Sequence, residues 1–283
     1  MTRSLRRHLL TPDAGPEKSI AALAVHCLKL EVETYPKPGL VSQVDSGAHG
    51  DMDAALLHHS AETLAPFFAD LVSAGAAGAE MDRLRIIGIA AERAMLVATA
   101  GVNTHRGAIF GLGLLCAAAG LRTAYGIRHP LGRIIAERWG AAVLSGPVPL
   151  HSHGARASRL HGVGGARLEA AQGLPSVYGI ALPALRAARV LAPDGDAEAA
   201  RVQTCMTLIA QVDDTNLLHR GGIAGLHFAQ AQAAAFLAAG GIEQADWREQ
   251  AALMHGNFVA RNLSPGGCAD LLAMALFVDR LEA

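Results

Sequence analysis

The chain has 283 residues, 24 Lys+Arg against 25 Asp+Glu and a formal net charge of −1; 51% of it is hydrophobic and 17% charged. Near-neutrality with so few charges excludes a polybasic nucleic-acid or membrane-surface protein, and so apolar a chain excludes disorder. Its 57 Ala and 37 Leu lead the helix-propensity scale, so the expected fold is all-α. We expect one compact domain over residues 1–283, about ten helices, with the active site in the loops between them.

Residues 1–16 carry basic side chains but no apolar stretch long enough for a signal peptide, and read as a flexible lead-in. From Glu17 to Glu33, Ile20, Leu23, Cys27 and Leu30 recur on one helical face. Tyr35-Pro-Lys-Pro-Gly39 ends that helix, because two prolines cannot continue it. A polar, Gly-rich stretch follows to Asp51. A helical pattern then runs from Met52 to about Glu80, with Pro66 marking a kink or restart. Further helices are expected at 82–99, 104–121, 129–144, 178–192, 196–212, 222–239, 243–261 and 267–281. Within the second of these, the apolar run Gly107–Leu121 is shorter than the roughly 20 residues a bilayer needs, and reads as a buried helix. Nothing alternates with period two, so no sheet is expected, and residues 145–177 show no clear pattern. Cys27, Cys116, Cys205 and Cys268 are scattered without a C-x-x-C pair, and read as core residues in a reducing cytoplasm.

Five polar islands lie at the helix junctions. The first is Pro36-Lys-Pro-Gly-Leu-Val41 followed by Asp45-Ser-Gly-Ala-His-Gly-Asp-Met-Asp53, where one acid could cap a helix but His49 and a second acid exceed that need. In Gly101-Val-Asn-Thr-His-Arg-Gly107, Asn103 or Thr104 can cap. His105 and Arg106 then add positive charge at the positive end of a helix dipole, which suggests a bound anion. The third island joins His151-Ser-His-Gly154 to Gly164-Gly-Ala-Arg-Leu-Glu-Ala170. Its His-x-His pair lacks further ligands at metal spacing, and Arg167 with Glu169 could be a surface pair. In the fourth, Asp213-Asp-Thr-Asn216 with Arg220-Gly-Gly222, two adjacent acids sit at the expected C-terminal end of a helix, where Mg²⁺ would relieve their repulsion. In the fifth, Asn262-Leu-Ser-Pro-Gly-Gly-Cys-Ala-Asp270, glycines expose backbone N–H groups and let a ligand approach. The chain contains no P-loop, dinucleotide fingerprint, nucleophile elbow or H-E-x-x-H.

Taken in order, Pro36–Val41, Gly47-Ala-His-Gly-Asp-Met52, Gly101–Phe110, Gly165–Ala170, Asp214–Gly222 and Ser264–Leu272 resemble the motif set of the triphosphoribosyl-dephospho-CoA synthases over roughly residues 20–280. Asp213–Gly222 and the ending Leu276-Phe-Val-Asp279 look more like the malonate decarboxylase branch than the citrate lyase branch. Gly173-Leu174-Pro175 departs from the family's usual Gly-Phe-Pro. The resemblance implies a cytoplasmic pentosyltransferase with ATP and 3′-dephospho-CoA as substrates and Mg²⁺ as cofactor. The ribose 2′-hydroxyl of dephospho-CoA attacks C1′ of ATP and adenine leaves. The product passes to a downstream transferase and an acyl carrier protein; no nucleic acid or membrane is involved, and homo-oligomerisation is left open. Asp213 and Asp214 are the metal candidates, with Asp51 next. Lys37, Arg106, Arg220, Gly266 and Gly267 are candidates for phosphate, and Asn103, Thr104, Arg167, Asn216, Ser264 and Asp270 for substrate binding more broadly. Asp51, then Glu169, is the candidate base for the hydroxyl, and His49 or His105 the candidate acid for adenine. Two other classes use the same residues: a metal-dependent helical hydrolase, and a non-catalytic protein whose islands are only caps and turns.

Overall fold

The computed structural model describes residues 15–147, 157 and 160–283. The lead-in expected over 1–16 lies outside the described residues except for its last two, and His151-Ser-His153 lies outside them as well. Among the described residues there is no strand, and the chain folds as one all-α domain around a continuous core. The helices are α1 (Pro16–Val32), α2 (Ala54–Thr63), α3 (Ala65–Ala76), α4 (Met81–Ala98), α5 (Arg106–Tyr125), α6 (Leu131–Ser145), α7 (Gly165–Ala171), α8 (Leu182–Leu191), α9 (Ala197–Gln211), α10 (Thr215–Ala238), α11 (Trp247–Ala260) and α12 (Gly266–Glu282).

Pro66 restarts the chain as expected. It occupies the first turn of α3, where no intrahelical N–H bond is lost, and Leu64 separates α3 from α2. The apolar α5 is the central helix, buried along most of its length. It meets α3 so closely that a Cβ on Gly75 would lie 1.9 Å from the Ala117 carbonyl oxygen. The described part of α5 is thus a core helix, as its composition and interrupted run suggested. The four cysteines are all free and buried, and burial pushes the thiols of Cys27 and Cys205 up to about 12.

Two elements differ from the sequence reading. The helix expected from 222 begins at Thr215, because Gly222 (φ 60°, ψ −162°) interrupts α10 and its polar first segment hides the helical pattern. The unpatterned 145–177 region contains the short α7, and a π-turn over Val177–Ala181 leads into α8.

Candidate active site

The N-termini of three helices meet at one cavity of about 1540 Å³. Asp214 caps α10: one carboxylate oxygen accepts from the N–H groups of Asn216 (2.7 Å) and Leu217 (3.2 Å). Its other oxygen accepts from Cys268 N–H at 2.8 Å, in the first turn of α12. From α12, Asp270 accepts from Ala108 N–H in the first turn of α5. Each acid therefore ties one helix start to another, and all three positive dipole ends face the same space. Gly107 makes the last tie possible, since a Cβ there would lie 2.0 Å from an Asp270 carboxylate oxygen. Burial raises the carboxyl pKa of Asp214 against the pull of its N–H donors. Burial, and then the nearby Glu31 and Asp214 carboxylates, hold that of Asp270 well above the usual range.

This corrects the argument from repulsion. Asp213 and Asp214 do not end a helix together: α9 stops at Gln211, and Asp214 begins the next helix, where a negative charge is favourable. Three of its roughly four acceptor sites are used by backbone N–H groups, so Asp214 serves first as a helix cap. Asp213 is exposed on the cavity wall and accepts from the Gln230 amide at 3.2 Å. No cluster of three or more His, Cys, Asp or Glu among the described residues is arranged to hold a metal. Asp214→Asn keeps the shape but turns an amide donor toward a backbone donor. We expect it to lower unfolding stability by about 2 kcal/mol in urea titration, and a variant as stable as wild type would show that the caps contribute nothing.

One wall of the cavity is a polar cluster from three of the islands. A neutral His49 accepts from Arg220 Nη2 at Nδ1 (3.2 Å) and donates from Nε2 to Ser264 Oγ (2.9 Å). Arg220 Nη1 also donates to the Ala48 carbonyl (2.8 Å) and to Asn262 Oδ1 (2.7 Å), holding loop 36–51 against the turn before α12. Asp51 Oδ1 stands 3.5 Å from His49 Nδ1, with its side chain 62% exposed. Burial and then Arg220 lower the His49 pKa, against Asp51. Asn216, Gly266 and Gly267 line the same wall. The two glycines sit tight against Asn216 and Asp214, so they serve packing as well as exposure of the backbone.

The start of α5 is less cationic than the sequence implied. His105 is buried, its Nδ1 lies 2.8 Å from Ser60 Oγ, and Ser60 lies 2.7 Å from Thr104 Oγ1. Burial, then the neighbouring His58, pushes the His105 pKa down to about 4, so at neutral pH it is uncharged and is not an imidazolium acid. Arg106 forms an ion pair with Glu92 at 2.5 Å, and Asn103 Oδ1 accepts from Arg106 N–H. The expected unfavourable charge at this helix end is therefore largely answered within the protein. A folded pKa near 4 against 6.5 unfolded means that the His105 contribution to stability is complete above pH 6.5 and lost as pH falls toward 4. The loss comes to about 3 kcal/mol. Denaturant titrations between pH 4 and 7.5 should show a steeper acid loss in wild type than in His105→Asn; equal slopes would assign the step to other groups.

Three candidates are committed to holding the structure. Lys37 is fully buried and paired with Glu31, and does not line the cavity, although Glu31 does. Arg167 lines the cavity, but its guanidinium donates to the Leu144 and Gly146 carbonyls, both at 2.8 Å, at the end of α6. Glu169 also lines it, and its two oxygens accept from Ser176 N–H (2.7 Å) and Oγ (2.9 Å), with burial raising its pKa. Sequence reasoning missed Glu31, Ser60, Glu92 and His255. His255 is buried beneath loop 36–51, with Nε2 3.0 Å from Asp45 Oδ1 and Nδ1 2.9 Å from the Lys37 carbonyl. Each of the four lies inside a helix, and no local motif marks it.

Three helix N-termini and a His–Asp–Arg cluster around so large a cavity make a site of the kind that takes a polyanionic substrate in a helical enzyme. The family model of ATP:dephospho-CoA triphosphoribosyl transferase matches residues 17–283. The chain is 42% identical over 270 residues to a probable 2-(5″-triphosphoribosyl)-3′-dephosphocoenzyme-A synthase of Stutzerimonas stutzeri, covering 93% of this chain and 91% of that one. It is 40% identical to a Vibrio cholerae protein of the same description (93% and 88% covered). It is 42% identical to the 2-(5″-triphosphoribosyl)-3′-dephosphocoenzyme-A synthase of Pectobacterium atrosepticum (88% and 84%). The chain belongs to the ATP:dephospho-CoA triphosphoribosyl transferase family. No solved structure matches it significantly.

Proposed function

We propose that the cavity joins the triphosphoribosyl group of ATP to the 2′-hydroxyl of 3′-dephospho-CoA, with Asp51 as the base. The observation that carries this reading is the convergence of three helix N-termini beside the His49–Asp51–Arg220 cluster. A triphosphate needs dispersed positive potential, which the helix ends and Arg220 supply. Mg²⁺ enters with ATP as part of the substrate. The triphosphate lies toward the starts of α10 and α12, where Asn216, Ser264 and the Gly266–Gly267 backbone face it.

The resemblance implies a β linkage in ATP and an α linkage in the product, hence one displacement with inversion. In that geometry the hydroxyl enters on the face opposite the departing adenine. His49 and Asp51 are only 3.5 Å apart, so both serve one face. His49, fixed by Arg220 and Ser264, then stands beside Asp51 at the hydroxyl and is not the acid for adenine. Glu169 is the weaker base candidate, since its oxygens already hold Ser176. We further propose the malonate decarboxylase branch, on Asp213–Gly222 and Leu276–Asp279, and a reducing cytoplasm, on the four free thiols. The downstream transferase and acyl carrier protein would then receive the product.

Incubation with ATP, Mg²⁺ and 3′-dephospho-CoA, with assay of adenine, tests the reaction. Adenine should appear only when the acceptor is present. Release without acceptor would favour the hydrolase, and no release would remove the proposal.

A further inference from the structure

The cavity is larger than the roughly 300–1,000 Å³ typical of single-ligand sites, and it has two unlike ends. The polar end is the one already described. Away from it, α4 presents one face to the cavity through Arg85, Gly88, Ile89 and Glu92, at the i, i+3, i+4, i+7 spacing of a helical stripe. At 1.5 Å per residue this stripe is about 10 Å long. It begins at the Glu92–Arg106 pair beside the start of α5 and ends where Arg85 reaches the end of α6, donating to the Ala142 carbonyl at 3.4 Å.

Phe110 and Leu114, one and two turns beyond Arg106 on α5, and Val163 and Leu168 beside and on α7 line the cavity as well. Ile89 is left 45% exposed and Leu168 37% exposed, so apolar surface here is left open among the described residues. The charges nearby are already answered: Arg85 pairs with Asp82 at 2.5 Å, and Arg167 is held by the carbonyls at the end of α6. The arm therefore offers little to phosphate. It suits a long, neutral chain of methylenes and amides.

Resting on the function proposed above, we infer that this arm is the subsite for the pantetheine portion of dephospho-CoA, and that Gly88 sets its width. Of the two substrates, only dephospho-CoA carries such a neutral chain beyond its phosphates; ATP has none. Gly88 is the position through which the arm can be narrowed without disturbing the fold. A Cβ built there meets nothing within 4 Å. The residue lies in the interior of α4, where replacing Gly favours the helix.

The experiment compares wild type, Gly88→Ala and Gly88→Leu by calorimetric titration with ATP and, separately, with 3′-dephospho-CoA. Gly88→Leu should weaken dephospho-CoA binding by roughly tenfold or more, the effect of a few misplaced methylenes in an apolar pocket. ATP affinity should stay within about twofold, and Gly88→Ala should fall between wild type and the leucine variant. Ile89→Ser, which removes apolar wall rather than space, should also weaken dephospho-CoA selectively. Unchanged dephospho-CoA binding in Gly88→Leu, or loss of ATP instead, would overturn the assignment. Because binding is read without turnover, a wild type that binds both ligands but releases no adenine would count against the proposed reaction and leave the subsite standing.

Discussion

Asp51→Asn is expected to lower kcat by roughly 10²–10⁴-fold, the range typical of losing a general base, while ATP binding is largely kept. A sugar hydroxyl is a weak nucleophile, and a carboxylate must take its proton as the bond to C1′ forms. Among the acids on the cavity wall, Asp214 and Asp270 accept from helix-start N–H groups, and Glu169 holds Ser176 through both oxygens. Asp51 is 62% exposed, and its neighbour His49 is fixed by Ser264 and Arg220. The split between kcat and KM is the diagnostic readout, since a residue that only bound phosphate would raise the KM for ATP instead. Unchanged turnover would move the base to Glu169. Trapping a ribosylated enzyme from ATP alone would replace the single displacement with a double one.

Lys37→Met should destabilise the fold by about 3–5 kcal/mol, the cost of leaving one member of a buried ion pair without its partner. Lys37 and Glu31 have side chains 0% and 11% exposed. The lysine bridges the end of α1 to the Pro-Lys-Pro loop, and His255 contacts the Lys37 carbonyl. Urea unfolding of the purified variant measures the loss, and Lys37→Met combined with Glu31→Leu should recover part of it, because an apolar pair no longer buries a lone charge. A stable Lys37→Met with a raised KM for ATP would restore the lysine to the phosphate site.

The helix starts show how far local pattern reaches. Pro66 and the apolar stripes of α1 and α9 were legible because helix period and proline chemistry are properties of adjacent residues. Asp214 was legible as important but was assigned the wrong physics. The start of α10 is masked by Thr215, Asn216, His219 and Arg220, and a cap then looks like an acid stranded at the preceding helix end. Glu31, Glu92 and His255 were invisible, since the partner that gives each its meaning is supplied by a loop or another helix.

By itself, then, the sequence determined the helical class, the run of helices, the polar islands between them and, through motif order, the family. Those features follow from short-range period, turn chemistry and residue type. Only the tertiary structure decided which polar residues face the cavity and which are used within the protein. It turned Lys37 inward to Glu31, answered Arg106 with Glu92, kept His105 neutral, and spent Asp214 and Asp270 on joining helix starts. Each outcome depends on whether a charged group finds a partner once water is removed, and that partner is brought by packing across dozens of residues.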